Sequence, residues 1–367
     1  MQEQNCVIVG AGLSGLYVAR ALTRSAAAFC VLEARERAGG RILSRAAAAS
    51  VLPDARFDLG PAWVWPAFQP LMTELIGQLG LPLFQQATSG DSLYEEAAQP
   101  EPLRLSDQSP HAESRRFVGG AGRLIEALCA SLPADRLRLG QTVTRVTATD
   151  TGVTVHHRDA AGPSILRARR AVLALPPRLL AATVAFDPPL PPALRRRLAA
   201  TPTWMAAHAK LLALYDRPFW REQGLSGEAF SRRGPLTEIY DASPAEGGPY
   251  ALFGFYGMPA AARRAIGREG LIARGLAQLE RLFGGAAARP IECLLKDWSD
   301  SPLTATPEDA IPPPGHPEYG LGDQTRTLWD GRLMLAGTES SARSGGYLEG
   351  ALEAGREVAD LLSDRHA

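Results

Sequence analysis

The sequence predicts an α/β fold in two lobes, and three observations carry that prediction. The stretch from Asn5 to Leu32 reads as strand, glycine turn, helix and second strand, which is a βαβ unit. Strand-like and helix-like segments go on alternating to the end of the chain. At 367 residues the chain is also longer than one core of ordinary size holds. Hydrophobic residues make up 46% and charged residues 21%, the balance of a globular chain with a sizeable core. Lys plus Arg and Asp plus Glu both total 39, so no net field draws in nucleic acid or an anionic membrane. The runs Arg195-Arg196-Arg197 and Arg232-Arg233 read as solvated faces.

Taken in order, the opening strand is expected at Asn5 to Val9, the turn at Gly10 to Gly15, a helix to about Arg24 and a second strand at Ala28 to Leu32. An extended piece follows, ending in Phe57-Asp58-Leu59-Gly60 and the aromatic stretch Trp63-Val64-Trp65, and then a helix at Leu71 to Leu79. Ser89 to Ser114 is polar and Pro-rich and reads as a surface excursion. Gly119-Gly120-Ala121-Gly122 introduces a helix at Leu124 to Leu132, and Thr142 to Thr147 with Gly152 to His157 form a meander. Arg170 to Leu175 is a short strand closed by Pro176-Pro177. Prolines from Pro176 to Pro202 exclude a long helix and suit a crossover between lobes.

The second lobe is expected from Thr203 to Ser299, with strands at Ala206 to Tyr215 and Ala251 to Tyr256 and a helix at Gly270 to Phe283, its sheet facing the ligand site. A strand at Arg332 to Ala336 and a helix from about Gly346 to Leu362 return to the first lobe. Residues 1–70, 118–200 and 300–367 are thus assigned to one domain, and 71–117 with 201–299 to the other.

Gly10-Ala11-Gly12-Leu13-Ser14-Gly15 has the dinucleotide-binding spacing. Gly10 permits the tight turn, Gly12 lets backbone approach a pyrophosphate, and Gly15 allows close helix packing. Glu33, at the tip of the second strand, is placed to accept hydrogen bonds from ribose hydroxyls. This fingerprint alone does not choose between NAD and FAD. The following Gly39-Gly40-Arg41 favours FAD, because two glycines turn amides toward phosphate and Arg41 adds a permanent, bidentate cation.

With Arg37 to Arg41 in place, the chain resembles the flavin monoamine oxidase family. The likeness continues through Asp58-Leu59-Gly60, Trp63-Val64, the turn at Gly119 to Gly122, Leu335-Ala336-Gly337-Thr338-Glu339, and Gly345 to Arg356. It implies a Rossmann-type FAD-binding domain with a discontinuous α+β substrate domain. It also implies a flavin held by Gly10, Gly12, Ser14, Gly15, Glu33, Ala34, Arg35, Gly40 and Arg41. Beside the ring it implies Gly60, Pro61, Ala62, Trp63 and Trp298; against the adenine, Val143; and near the end of the chain, Gly337, Thr338, Glu339, Gly346, Tyr347 and Leu348. The helix starting near Gly346 would point its N-terminal amides at the flavin's pyrimidine edge, which favours the charge that reduction places there.

Only Lys210 and Lys296 are lysines among the 39 basic residues. Lys210, in the strand-like run His208 to Tyr215, resembles the family's lysine that holds a water against the flavin. There a compact ammonium orients water or assists reoxidation by dioxygen, which a bulky guanidinium does not. Lys296 reads as structural. Trp298 is expected to pack by the flavin, and Tyr347 to form one wall of an aromatic cage that steers an amine.

Two departures from the family pattern stand out. The second cage wall is expected within Ser299 to Ile311, and no aromatic residue occurs there. No cysteine lies at the family's attachment position either, so the flavin is expected to be noncovalent. The resemblance implies oxidation of a small amine by hydride transfer to FAD, with oxygen or another acceptor taking the electrons. Two alternatives stay open, a desaturase or oxidase of a non-amine and a non-catalytic flavoprotein. The six histidines form no metal-binding pattern. Scattered cysteines, no leader and no apolar run of the roughly 20 residues that span a bilayer point to a cytoplasmic chain.

Overall fold

The computed structural model describes residues 4–48, 55–99, 101–106, 109–245, 247–322 and 327–363. Among these, two large sheets dominate. The first is built around the strand Gln4–Val9, which pairs in parallel with Phe29–Leu32 on one side and with Gly162–Leu173 on the other. All four residues of Phe29–Leu32 are buried, as a parallel strand covered on both faces requires. The helix Leu13–Arg24 connects the two strands and places Leu13, Leu16, Val18, Ala19 and Leu22 in one core with the closing helix Leu348–Ser363. The other face of the sheet is covered by the short helices Pro177–Thr183 and Pro192–Ala200, through Leu180, Leu194 and Leu198. Each begins on a proline, where the missing N–H costs nothing.

The second sheet has the spatial order Glu292–Asp297, Ala209–Tyr215, Tyr250–Tyr256, Leu236–Asp241, Leu225–Ser231, Asp91–Glu95, Leu103–Leu105. Every residue of Ala209–Tyr215 is buried, because both faces of the strand are covered. Ala209, Leu211, Ala213 and Tyr215 pack on the helix Ala260–Phe283, while Leu212 and Leu214 pack on Phe57 and Leu59 of the first lobe. Alternation along the strand therefore directs Lys210 toward the first lobe as well.

Four expectations need correction. The stretch from Ser89 to Ser114 is not only a surface excursion: Asp91–Glu95 pairs in parallel with Leu225–Ser231 and buries Ser92, Leu93 and Glu95. An ion pair from exposed Arg281, whose Nε lies 2.6 Å from Glu95 Oε1, makes burial of this carboxylate tolerable. Residues 100, 107 and 108 of that stretch, and the first three of the chain, lie outside the described set. The helix Pro70–Gln78, assigned to the second lobe, buries Leu71, Met72, Leu75 and Ile76 in the core of the first. Its first amides, those of Leu71 and Met72, donate to the buried carboxylate of Glu349 at 2.9 Å each, a charge placed where the helix dipole favours it. The strand expected at Arg170 to Leu175 begins at Gly162, since its antiparallel pairing with Val153–Asp159 extends the ladder into polar sequence. The helix expected at Gly270 to Phe283 begins at Ala260, with a break at Gly267, whose φ is +76°.

The fingerprint glycines differ in what they do. A Cβ on Gly15 would lie 2.0 Å from the Gly10 carbonyl oxygen, whereas one on Gly12 would meet nothing within 4 Å. We expect Gly15→Ala to cost about 1–3 kcal/mol of stability through overpacking and Gly12→Ala to leave stability close to wild type. Chemical denaturation of the two variants side by side checks this.

Candidate functional site

One deep cavity of about 710 Å³ runs from the Rossmann turn to the face of the second sheet. Gly10, Gly12 and Ser14 line its inner end, where the carbonyl of Ala174 fits against Gly10 only because that residue has φ +101° and no side chain. Glu33 Oε2 accepts the Ala11 amide at 2.8 Å and Oε1 accepts the Arg35 amide at 2.9 Å. The carboxylate is thereby held at the tip of its strand with lone pairs left for two hydroxyls. Ala34, Arg35, Gly40, Arg41 and Val143 line the same end. Arg35 donates to Thr304 Oγ1 at 2.6 Å, and burial lowers the pKa of its guanidinium.

Gly60, Pro61, Ala62, Trp63, Gly337, Thr338, Gly346, Tyr347 and Leu348 continue the lining, and Thr338 Oγ1 donates to the Tyr347 carbonyl at 2.9 Å. Two expected residues stand off the wall. Gly15 is packed against the backbone of Gly10 instead. Glu339 is completely buried and faces Arg41, with Nη1 2.8 Å from Oε1 in an orientation that makes an ion pair without a hydrogen bond. Its role is to hold Arg41 at the cavity edge, which no sequence spacing reveals. The glycine cradle, the carboxylate at the strand tip and the cation on the phosphate side form a donor and acceptor set that fits an FAD molecule.

The second sheet closes the cavity. Lys210 is 2% exposed, and its Nζ donates to the carbonyls of Asp58 and Gly60, both at 3.0 Å. The ammonium also lies 4.1 Å from the ring centroid of Phe253 and 5.3 Å from that of Phe255. Burial, aided by Arg116, pulls the Lys210 pKa down to about 7, against the attraction of Asp58. Burial likewise pushes the Asp58 carboxyl above its ordinary value although it accepts from Ser44 Oγ at 2.5 Å and the Ala121 amide at 2.9 Å. Trp298 Nε1 donates to the carbonyl of Leu59 at 3.0 Å, so it stands beside Lys210 over the same segment. Lys296 keeps a structural position: it donates to Ser301 Oγ at 2.6 Å and lies 4.8 Å from the Trp298 ring.

Sequence reasoning missed several wall residues. Trp204, Met205, His208, Phe255, Trp65 and Thr304 all line the cavity. His208 was recoverable, since it lies two residues before Lys210 and a strand repeats its facing every second residue. Trp204 was not, because a turn delivers it. The Trp204 ring lies 6.4 Å from that of Tyr347 at 59°, and the exposed imidazole of His316 stacks on Tyr347 at 4.5 Å and 4°. Gly346 makes room for this, since a Cβ there would lie 2.8 Å from that of Trp204. Arg41 Nη1 fixes the turn by donating to the Trp204 carbonyl at 3.1 Å. Tyr347 thus has aromatic neighbours, drawn from outside Ser299 to Ile311. Cys293 lies across from Ala213 in the second sheet and packs into that sheet's own core. Among the described residues no group of His, Cys, Asp and Glu could hold a metal ion, and no helix is long and apolar enough to cross a membrane.

Comparison with known proteins bears on this geometry. Residues 87–363 match the family model for flavin containing amine oxidoreductases, and residues 8–79 match that of an NAD(P)-binding Rossmann-like domain. A probable flavin-containing monoamine oxidase A of Dictyostelium discoideum is 30% identical over 71% of this chain and 56% of its own length. The chain therefore spans little more than half of that relative. An L-amino acid dehydrogenase of Synechocystis is 25% identical over 98% of this chain and 94% of its own. The solved cyclohexylamine oxidase from Brevibacterium oxydans superposes with a TM-score of 0.83 at 23% identity, covering 100% of both chains, which is a likeness of fold.

The buried lysine makes stability depend on pH. Its pKa is about 7 in the folded chain against 10.5 ordinarily. Between those values the unfolded chain still holds a proton that the folded chain has released, so stability rises as pH climbs through that window. Lys210→Met has no such group. Chemical denaturation of both proteins across the window should show the difference moving in favour of wild type as pH rises; a constant difference would refute the shift.

Proposed function

The chain belongs to the family of flavin-containing amine oxidoreductases, and from that membership we propose that it oxidises the C–N bond of a small amine with FAD held noncovalently in the cavity. FAD supplies the acceptor for the hydride that leaves the carbon bearing nitrogen. The product imine is then hydrolysed by water, and oxygen or another acceptor takes up the electrons. The observation that carries this reading is the placement of Lys210. A buried lysine stands on the cavity wall with its Nζ pinned by the carbonyls of Asp58 and Gly60, and we assign it the holding of a water in the cavity.

The remaining wall suits an amine. Trp298, Phe255 and Trp63 give the middle of the cavity an apolar lining, which excludes bulk water and favours the uncharged form of the substrate. Tyr347 and Trp204 present aromatic faces that attract an ammonium on its way in and pack against the free amine afterwards. The start of Leu348–Ser363 lines the cavity, and its amides would stabilise negative charge on a flavin ring bound against them. Gly10, Gly12, Ser14, Glu33, Arg35, Arg41 and Val143 hold the dinucleotide. We place the reaction in the cytoplasm, on the scattered free cysteines.

Anaerobic mixing with a panel of amines, polyamines and amino acids should bleach the visible flavin band for one of these classes. Reoxidation in Lys210→Met is expected to slow by roughly 10²-fold in stopped-flow measurements, with reduction less affected. Bound flavin that no amine bleaches would sink the amine reading and favour oxidation of a non-amine.

A further inference from the structure

A second titratable side chain shares the wall with Lys210. His208 immediately precedes the strand Ala209–Tyr215, and alternation puts it on the face that carries Lys210. It lines the cavity, between the ring of Trp204 at 6.2 Å and that of Phe255 at 6.4 Å. Its backbone is fixed by the Trp298 amide, which donates to the His208 carbonyl at 3.0 Å. The side chain is not fixed in this way: among the described residues, Nδ1 is buried with no hydrogen-bond partner. The ring is nonetheless only half-buried and lines the cavity, so the part of the imidazole away from Nδ1 is open to a ligand there.

Burial and the charges around this imidazole keep it in the uncharged form, which has a lone pair free to take up a proton. From the helix Ala260–Phe283, Arg263 sends Nη2 to the neighbouring Ala207 carbonyl at 2.7 Å, and its charge is matched by Asp297 through contacts of 2.6 and 2.8 Å. Lys210 shares its strand, and Lys296 lies opposite Lys210 in the adjoining strand. Burial, and secondarily Arg263, lower the pKa of the ring, so the imidazole is uncharged at neutral pH. Lys210 is less available, since two of its protons are committed to carbonyls and its nitrogen faces the Phe253 ring.

An alkylamine reaches the protein as an ammonium, since its pKa is close to the roughly 10.4 of a lysine side chain. Hydride cannot leave the adjacent carbon until nitrogen has a lone pair to form the C=N bond. We propose that the imidazole of His208 takes the proton from the substrate ammonium. An N–H bond of the ammonium breaks, its electron pair stays on nitrogen, and a new N–H bond forms on the ring; the proton later passes to water at the cavity mouth. This assignment rests on the amine reading of the site.

The test compares His208→Asn with wild type using two amines, one protonated at neutral pH and one fluorinated and uncharged there. Flavin reduction by the protonated amine should slow about 10²-fold in the variant and recover as pH rises past the pKa of the amine, while reduction by the uncharged amine stays near wild type. Equal losses with both amines, or none with either, would overturn the role of His208. Wild type reduced by neither amine would instead sink the amine reading itself. A second measurement avoids turnover: tert-butylamine, which has no hydrogen on the carbon bearing nitrogen, is titrated calorimetrically in buffers of different ionisation enthalpy. With His208 relaying the proton to water, wild type should release about one proton to buffer per amine bound at neutral pH, and the variant, binding the ammonium intact, should release none; identical proton release refutes the proposal. Where His208→Asn loses its flavin, His208→Gln is read in its place.

Discussion

The carbonyls of Asp58, Leu59 and Gly60 form the constraint on which the rest of the site depends. They leave the hairpin Ser44–Ala46 and Arg56–Asp58 in the first lobe, and the second sheet satisfies all three, Lys210 taking the outer two and Trp298 the middle one. A buried carbonyl without a donor costs about 1–3 kcal/mol, so the two lobes meet in the one register that avoids three such losses. The same bonds decide where an ammonium and an indole stand relative to the cavity. Structure and proposed chemistry therefore share their hydrogen bonds, and the cost of burying a lysine is met by two carbonyls and an aromatic face.

A second polar link sets the cavity rim. Buried Glu339 holds Arg41, Arg41 holds the carbonyl of Trp204, and Gly346 leaves space for the indole. Through this chain of contacts, the residue read as a phosphate clamp also positions an aromatic wall of the cavity. Tyr319 supports the turn from the other direction by donating to the Pro202 carbonyl at 3.0 Å. The missing aromatic of the family pattern thus has a physical counterpart drawn from a different segment.

Local signals accounted for much of the first lobe. Gly10, Gly12, Gly15 and Glu33 are separated by a strand, a turn and a helix whose lengths are visible in the chain, and the geometry at each follows from steric needs of the backbone. The helix Leu348–Ser363 was legible for the same reason, through its amphipathic period. Errors fell where neighbours distant in sequence override composition. Asp91–Glu95 looked like surface because it is polar, yet Arg281 makes burial of Glu95 acceptable. Pro70–Gln78 looked like the start of a new lobe, yet Glu349 anchors its first turn in the old one.

By itself, then, the sequence determined the α/β class, the dinucleotide cradle, the rarity of lysine that singled out Lys210, and the aromatic at Tyr347, because each depends on residues close together along the chain. Only the tertiary structure decided that Trp204 and His208 share a cavity with Tyr347, that Arg41 answers to Glu339, and that Lys210 closes on Asp58 and Gly60. Those contacts join segments more than a hundred residues apart, and their partners are selected by burial and unsatisfied backbone groups, which no local pattern encodes.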